Sequence, residues 1–477
     1  MFSICAKLLL LAMGTMLLQC CGKHAPSPVV NISPISLSLS SDTVYTGIDK
    51  NISVTVSVNN YRDLKALIIR KGTESMKDYA RIDAANIKSD GSYVFTYTVN
   101  SDDNFSFSAL GTDGKEYGTT LLYVDNRTGI FPVSLTMVAR VTGKTLTTWN
   151  TFTSVNPNRT DERYDVGCTD LGIMWAMDNG RVGIFFGDTQ GKDFVPSANG
   201  GGNGSDWRSN VLAFSDDINL SNGLIFSGMA TDSANHAVAR QIVYSPHITD
   251  GTGSFSAIPT AAVHAGNADY VHYMDVRQWG DPGKWTTNFS SLYRSADGGQ
   301  NWVPCPGVHF SAGSNFSQVC YAKKDGYVYM LGTVSGRFGA AYLAKFGEGD
   351  ILDQAAYEYW NNTSGWVKND ETKASVVLDG PVGELSMMYN TKFNRWMVTY
   401  LDVGRNAIVL RTAKDITGTW SDENILVSST ANNSEYAGLY GGFMYPLGIN
   451  SDTLYFNMSL WYPYNVFLMK AALKLVE

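Results

Sequence analysis

The chain has 477 residues, 12% of them aromatic and 46 of them glycine, and a formal net charge of −8 from 36 basic and 44 acidic side chains. That length exceeds one ordinary domain, and the aromatic and glycine content, with little helical periodicity, predicts an all-β protein with many tight turns. The acidic balance excludes nucleic acid as a partner, because phosphate binding needs clustered Lys and Arg.

Residues 1–21 form a targeting segment: Lys7, the apolar run Leu8–Leu18, then LLQCCGK at 17–23. The run is too short to span a bilayer and has the length of a signal-peptide core. Leucines just before Cys20 and Cys21 have the form of a lipobox. Cys20 is the expected lipidated residue, with Cys21 fitting as well, so a lipid anchor to a membrane of the cell envelope is expected. Free secretion after ordinary cleavage is the alternative.

Residues 22–129 follow. Alternating runs at ISLSLS (35–40), ISVTVSVN (52–59), KALIIRK (65–71), GSYVFTYTV (91–99), NFSFSAL (104–110) and GTTLLYVD (118–125) predict an immunoglobulin-like β-sandwich. No cluster suited to catalysis lies in it.

Residues 130–477 carry a pattern that recurs five times. Second strands read VGIFFGDT (182–189), YVHYMDV (270–276), YVYMLGT (327–333), WMVTYLD (396–402) and TLYFNMS (453–459), each between two further apolar runs. Innermost strands begin near Asp170, Thr260, Ser317, Glu384 and Gly441. Five such units predict a five-bladed β-propeller. Outer strands are expected at 224–229, 302–310, 366–378 and 420–428. The last blade runs out of sequence, and PVSLTMVARV (132–141) is the expected closing strand. SADGGQNW (295–302) has the form of an Asp-box hairpin, in which Asp297 accepts from turn amides, Gly298 and Gly299 supply permissive dihedrals, and Trp302 packs on the turn.

In a propeller, starts of innermost strands and ends of second strands share one rim. Asp170, Asp188, Asp275, Glu384 and Asp402 all fall there. An arbitrary rim aspartate more often caps a turn than reacts; convergence favours Asp170, Asp188 and Glu384 as catalytic, leaves Asp275 a binding candidate, and leaves Asp402 a turn residue. Facing carboxylates meet the needs of glycoside hydrolysis, which takes one protonated acid and one ionised nucleophile or base. Asp170 is the expected nucleophile or base, Asp188 the expected acid, and Glu384 the reserve. The rim loops WRSN (207–210), RQWGDPGKWTTN (277–288) and LWYPYN (460–465) offer Arg208, Asn210, Arg277, Trp279, Trp285, Asn288, Trp461 and Tyr464 for sugar hydroxyls and faces.

Other motifs lead elsewhere. NGGGNGSD (199–206) lacks the strand–Gly–Lys–helix context of a phosphate cradle and is expected to be a rim loop. His236, His247, His264, His272 and His309 are scattered without ligand spacing, so no metal or cofactor is expected. Cys168, Cys305 and Cys320 are too few for a disulfide framework, although Cys305 and Cys320 are a conceivable pair.

The segments YDVGCTDLG (164–172), FFGDT (185–189), WRSNVLAFS (207–215), RQWGDPGKWTTN (277–288), VGELS (382–386) and LWYPYNV (460–466) together resemble a bacterial family once called a domain of unknown function. It is now glycoside hydrolase family 183, the endo-D-arabinofuranases. The resemblance covers most of residues 130–477. It implies cleavage of internal α-D-arabinofuranosyl linkages in D-arabinan of mycobacterial arabinogalactan or lipoarabinomannan, with Asp170 and Asp188 at the catalytic positions. With the lipobox, the design is similar to glycan-foraging lipoproteins of Bacteroidetes type, which implies outer-membrane or cell-surface placement. Three alternatives stand beside it: an exo-acting arabinofuranosidase, a sialidase-like hydrolase using Arg163, Arg208 and Arg277, and a non-catalytic glycan-binding propeller.

Overall fold

A computed structural model describes residues 35–45, 51–72, 75–99, 103–125, 128–144, 156–197, 199–429 and 436–476. The targeting segment with Cys20 lies outside them. The chain divides into two compact units, the first ending at Arg127 and the second beginning at Thr128.

The first unit is two sheets face to face. One orders Ser36–Leu39, Asn51–Asn59 and Ser92–Thr98; the other orders Thr43–Tyr45, Glu116–Asp125, Asp103–Gly111, Leu64–Lys71 and Lys77–Asp83. Strict alternation buries Val54, Val56 and Val58 from one strand, and they meet Phe95, Leu67, Ile69, Phe105 and Phe107 in a single core. Thr43–Tyr45 and Lys77–Asp83 carry few apolar residues, and the sequence pattern passes over both.

The second unit contains five antiparallel sheets. Their innermost strands are Leu171–Ala176, Ser256–Ala265, Gln318–Lys324, Leu385–Asn390 and Leu439–Met444. Each packs against the next, and the fifth packs back against the first, closing a ring of blades. Blades one, two, four and five have four strands each. In blade five the fourth is Gly129–Arg140, paired antiparallel with Asn465–Val476 from Gly129–Val476 to Arg140–Phe467. The expected closing strand is therefore in place, and it leaves no unpaired edge on Asn465–Val476.

Three details differ from the sequence reading. In blade three, the run 366–378 is not one outer strand: Glu358–Asn361 and Gly365–Lys368 form a hairpin, and Val376–Leu378 returns to pair with Ala341–Gly347. In blade one the outer strand shrinks to Gly228–Met229. In blade two the innermost strand starts at Ser256, because a bulge at Pro259–Ala261 absorbs the proline, which cannot donate to a ladder. Cys168, Cys305 and Cys320 are all free thiols, so Cys305 and Cys320 are not bridged.

The Asp-box forms as expected. Asp297 Oδ1 accepts from the backbone N–H groups of Gln300 and Asn301, and Trp302 donates to the Gly299 carbonyl. Trp302 meets Phe185 and Trp175 edge-on, and a Cβ on Gly299 would lie 2.7 Å from the Phe214 ring. The hairpin of blade two thus locks onto blade one.

Candidate active site

A cavity of about 900 Å³ opens on the rim and takes lining residues from all five blades. Asp170, Asp188 and Glu384 all line it, as do Trp279, Trp285, Trp461 and Tyr464.

Asp170 stands just before the first strand of blade one, and local backbone strain aims it. Leu171 has φ +66° and Gly172 φ +84°, with a bulge between Leu171 and Ile173. A left-handed leucine is costly and is held only where neighbours enforce it. Here they do: Leu171 N–H donates to Ser459 Oγ at 2.8 Å, and Asn457 Nδ2 donates to the Gly172 carbonyl at 2.9 Å, both from blade five. The bulge turns the carboxylate inward over Gly187. A Cβ at position 187 would lie 2.3 Å from Asp170 Oδ1, which explains the glycine of the GDT motif.

Asp188 sits across from it. The bridge between Cys168 and Gln190, two residues further out on each side, sets Asp170 opposite Asp188, where cross-strand Cβ atoms lie about 4.5–5.5 Å apart. Thr169 and Thr189 join through their hydroxyls at 2.7 Å, fixing the backbone on both sides of the pair.

The two carboxylates are held differently. Asp170 Oδ2 accepts from the Tyr440 hydroxyl at 2.9 Å and the Tyr464 hydroxyl at 3.1 Å, while Oδ1 is buried without a partner. Burial pushes Asp170 up to about 7, the negative charge of Asp188 adds to the rise, and the two phenols oppose it. Asp188 Oδ1 accepts from Ser256 Oγ at 2.6 Å and Trp207 Nε1 at 2.8 Å. Burial pushes Asp188 up to about 6 against those two donors. The charge of Asp188 raises Asp170, so the two carboxylates titrate as a pair. Tyr440 and Tyr464 are raised well above the usual phenol range by burial and by the Asp170 charge, so both remain donors.

Glu384 is engaged otherwise. Arg337 donates to its Oε1 through Nε at 2.9 Å and Nη2 at 2.6 Å, an arrangement suited to an ionised carboxylate, which only accepts. Arg337 also lies 4.9 Å from the Tyr440 ring centroid and 5.8 Å from that of Trp285.

Five predicted binding residues stay out of the cavity lining, each spent on holding loops. Arg208 donates to the carbonyls of Ala239, Asp165 and Asp206. Asn210 bonds Val243 and Ala257 carbonyls and accepts from the Ile242 and Val243 amides, which uses its full capacity. Asn288 joins Asp275 Oδ1 at 2.7 Å and the Gly253 carbonyl at 3.2 Å, and Arg277 donates to the Gly251 carbonyl. Asp402 caps its turn by accepting from the Gly404 and Arg405 amides. Arg163 bonds Tyr164 and the Asn158 carbonyl. Among the described residues the arginine trio of a sialidase-like site is therefore absent from the cavity, whose one lining arginine, Arg337, is paired with Glu384.

Sequence reasoning missed Tyr440, Ser256, Trp207 and Arg337. Arg337 had a usable signal: it lies in the loop between second and third strands of blade three, the position that WRSN and LWYPYN occupy in their own blades. Tyr440 and Ser256 precede the expected strand starts, and bulges displaced those starts.

Residues 155–470 match the family described as "Domain of unknown function (DUF4185)". Notoamide biosynthesis cluster protein J′ of Aspergillus versicolor is 29% identical over 313 residues, 63% of this chain and 82% of that protein. Among solved structures, a family 117 glycoside hydrolase from Zobellia galactanivorans is 11% identical with a TM-score of 0.40, covering 72% of this chain and 92% of that one. The Bacillus subtilis arabinanase Arb43A is 12% identical with a TM-score of 0.36, covering 63% and 94%.

Proposed function

We propose that this chain, which belongs to the DUF4185 family, is a glycoside hydrolase that cuts internal α-D-arabinofuranosyl linkages in D-arabinan. One observation carries the reading: two cross-strand carboxylates in a rim cavity, one with a buried, unpartnered oxygen and a proton affinity near neutrality, the other fixed purely as an acceptor. Asp170, not Asp188, is then the general acid. Its Oδ2 is held by two phenols, and its carboxyl proton passes to the leaving glycosidic oxygen. Asp188, ionised above about pH 6, is the nucleophile or the base that activates water. This reverses the roles expected from position along the strands. Glu384, paired with Arg337, shapes the field around Asp170.

The choice of internal linkages is supported by where the aromatic faces lie. Trp461 belongs to blade five, Trp279 and Trp285 to blade two, and blade one with both acids stands between them. Sugars can stack on both sides of the bond being cut. The choice of arabinan rests on the motif resemblance. The first unit serves as a spacer of immunoglobulin-like type, and Cys20 as a lipid anchor at the envelope; Cys20→Ala should abolish labelled-palmitate incorporation if the anchor is real.

Digestion of purified D-arabinan, with products separated by size, tests the function. A ladder of oligosaccharides is expected. Arabinose alone would mean exo cleavage, and binding without products a glycan-binding propeller. The likeness to a notoamide biosynthesis cluster protein favours one second reading, acid–base chemistry on a small biosynthetic molecule, which an inert arabinan digest would bring forward.

A further inference from the structure

The glycine-rich run at 199–206 is no phosphate cradle, yet its packing is specific. Gly200 and Gly201 have φ +71° and +78°, and a Cβ on them would lie 2.3 Å and 2.8 Å from atoms of the Trp461 indole. The Gly201 amide donates to the Trp461 carbonyl at 2.7 Å, and Trp461 Nε1 donates to the Asn199 carbonyl at 2.9 Å. Gly202 needs no left-handed backbone. It is restricted by space alone, because its Cβ would come within 3.0 Å of Tyr464 Cε1 and 3.3 Å of Cδ1. Tyr464, itself at φ +60°, meets Trp461 at right angles with ring centroids 5.6 Å apart, and its hydroxyl reaches Asp170.

From this packing we infer that loop 199–204 is a positioning element: it fixes Trp461 as a flat wall of the cavity and, through Gly202, sets the Tyr464 hydroxyl on Asp170 Oδ2. No residue of the loop touches the reacting atoms; the loop acts through blade five. The groups facing Asp170 are Asp188 from the second strand of blade one, Tyr440 and Tyr464 from blade five, Glu384 from blade four, Arg337 from blade three, and Cys168 on its own segment. The three atoms nearest a Cβ at Gly202 are two ring carbons of Tyr464 and Gln190 Cγ. Losing the Tyr464 hydrogen bond, which favours the ionised form, raises the Asp170 midpoint by about 0.5–1 pH unit.

The inference rests on Asp170 being a titrating group at the proposed site, but its test does not need turnover. Carboxyl-carbon NMR titrations of aspartate-labelled full-length protein, assigned with Asp170→Asn, are compared for the unaltered chain, Gly202→Ala, Tyr464→Phe and the double variant. Gly228→Ala, where an added Cβ meets nothing within 4 Å, is the control. Tyr464→Phe should raise the Asp170 midpoint. Gly202→Ala should raise it by a smaller amount, and the double variant should match Tyr464→Phe alone, since both act through one hydroxyl. An unmoved midpoint in Gly202→Ala, or additive shifts in the double variant, would overturn the inference. If the midpoint moves as expected and arabinan is still not cut, the positioning role stands and the glycosidase reading fails. If arabinan is cut, the alkaline limb of the rate profile should move upward with the NMR midpoint.

Discussion

Replacing Asp170 by asparagine should make the protein more stable and nearly inactive. The asparagine side chain would copy the protonated acid: its carbonyl can accept from Tyr440 and Tyr464 where Oδ2 now does, and its amide would occupy the unpartnered Oδ1 position over Gly187. A carboxyl whose folded value is raised contributes stability that is complete below its unfolded value near 4 and is lost as pH climbs to the folded value, here about 7. A rise of about three pH units, at about 1.4 kcal/mol each, withholds up to about 4 kcal/mol from the unaltered protein above pH 7. For a unit of this size that is roughly 5 °C in melting temperature. Calorimetry of the full chain at pH 5 and pH 8.5 should show Asp170→Asn melting slightly higher at pH 5 and several degrees higher at pH 8.5. Release of reducing ends from D-arabinan should fall at least ~10²-fold, the scale for a positioned acid. A variant that melts lower than the parent at pH 8.5 would refute the reasoning, since Asp170 would then be an ionised structural group.

Asp188→Asn should also cost at least ~10²-fold in turnover, while Trp207 and Ser256 lose their charged acceptor. Loss of activity in Glu384→Gln with near-normal activity in Asp188→Asn would reverse the assignment. Glu384→Gln should leave the Arg337 charge unbalanced and destabilise by about 2–3 kcal/mol, somewhat under the range for fully buried pairs, as read from urea unfolding. A chain beginning at Ile130 should fold and keep substantial activity, and one beginning at Thr145 should not fold, because it lacks the strand paired along Asn465–Val476; equal activity in the two would show that the closing strand is dispensable.

The blades were legible because their strands are short, apolar and evenly punctuated, and the closing strand was legible because residues 132–141 form a strand-like run outside the five repeated units. Asp170 and Asp188 could be read as neighbours for the same reason: they flank one hairpin. Direction was not legible. Arg208 and Asn210 have the composition of a sugar site, yet the neighbouring segment around Ala239 and Val243 has carbonyls that must be satisfied first, and those side chains do it. Tyr440 and Ser256 escaped because bulges shift the strand starts, and period-two reading breaks where a ladder gains a residue. The acid and base roles depend on which oxygen meets which donor, and no spacing encodes that.

The seam in blade five also sets an order of events during synthesis. Gly129–Arg140 leaves the ribosome more than three hundred residues before its partner, so at ~5–20 residues per second it waits some tens of seconds. Throughout that interval Ile130, Phe131 and Ala139, fully covered in the finished molecule, have no partner strand beside them. The strand Asn465–Val476 of a neighbouring chain whose own ring has not yet closed presents the matching edge. Crowded translation should therefore trap strand-exchanged dimers, and this twelve-residue strand decides whether one message yields one molecule or a joined pair.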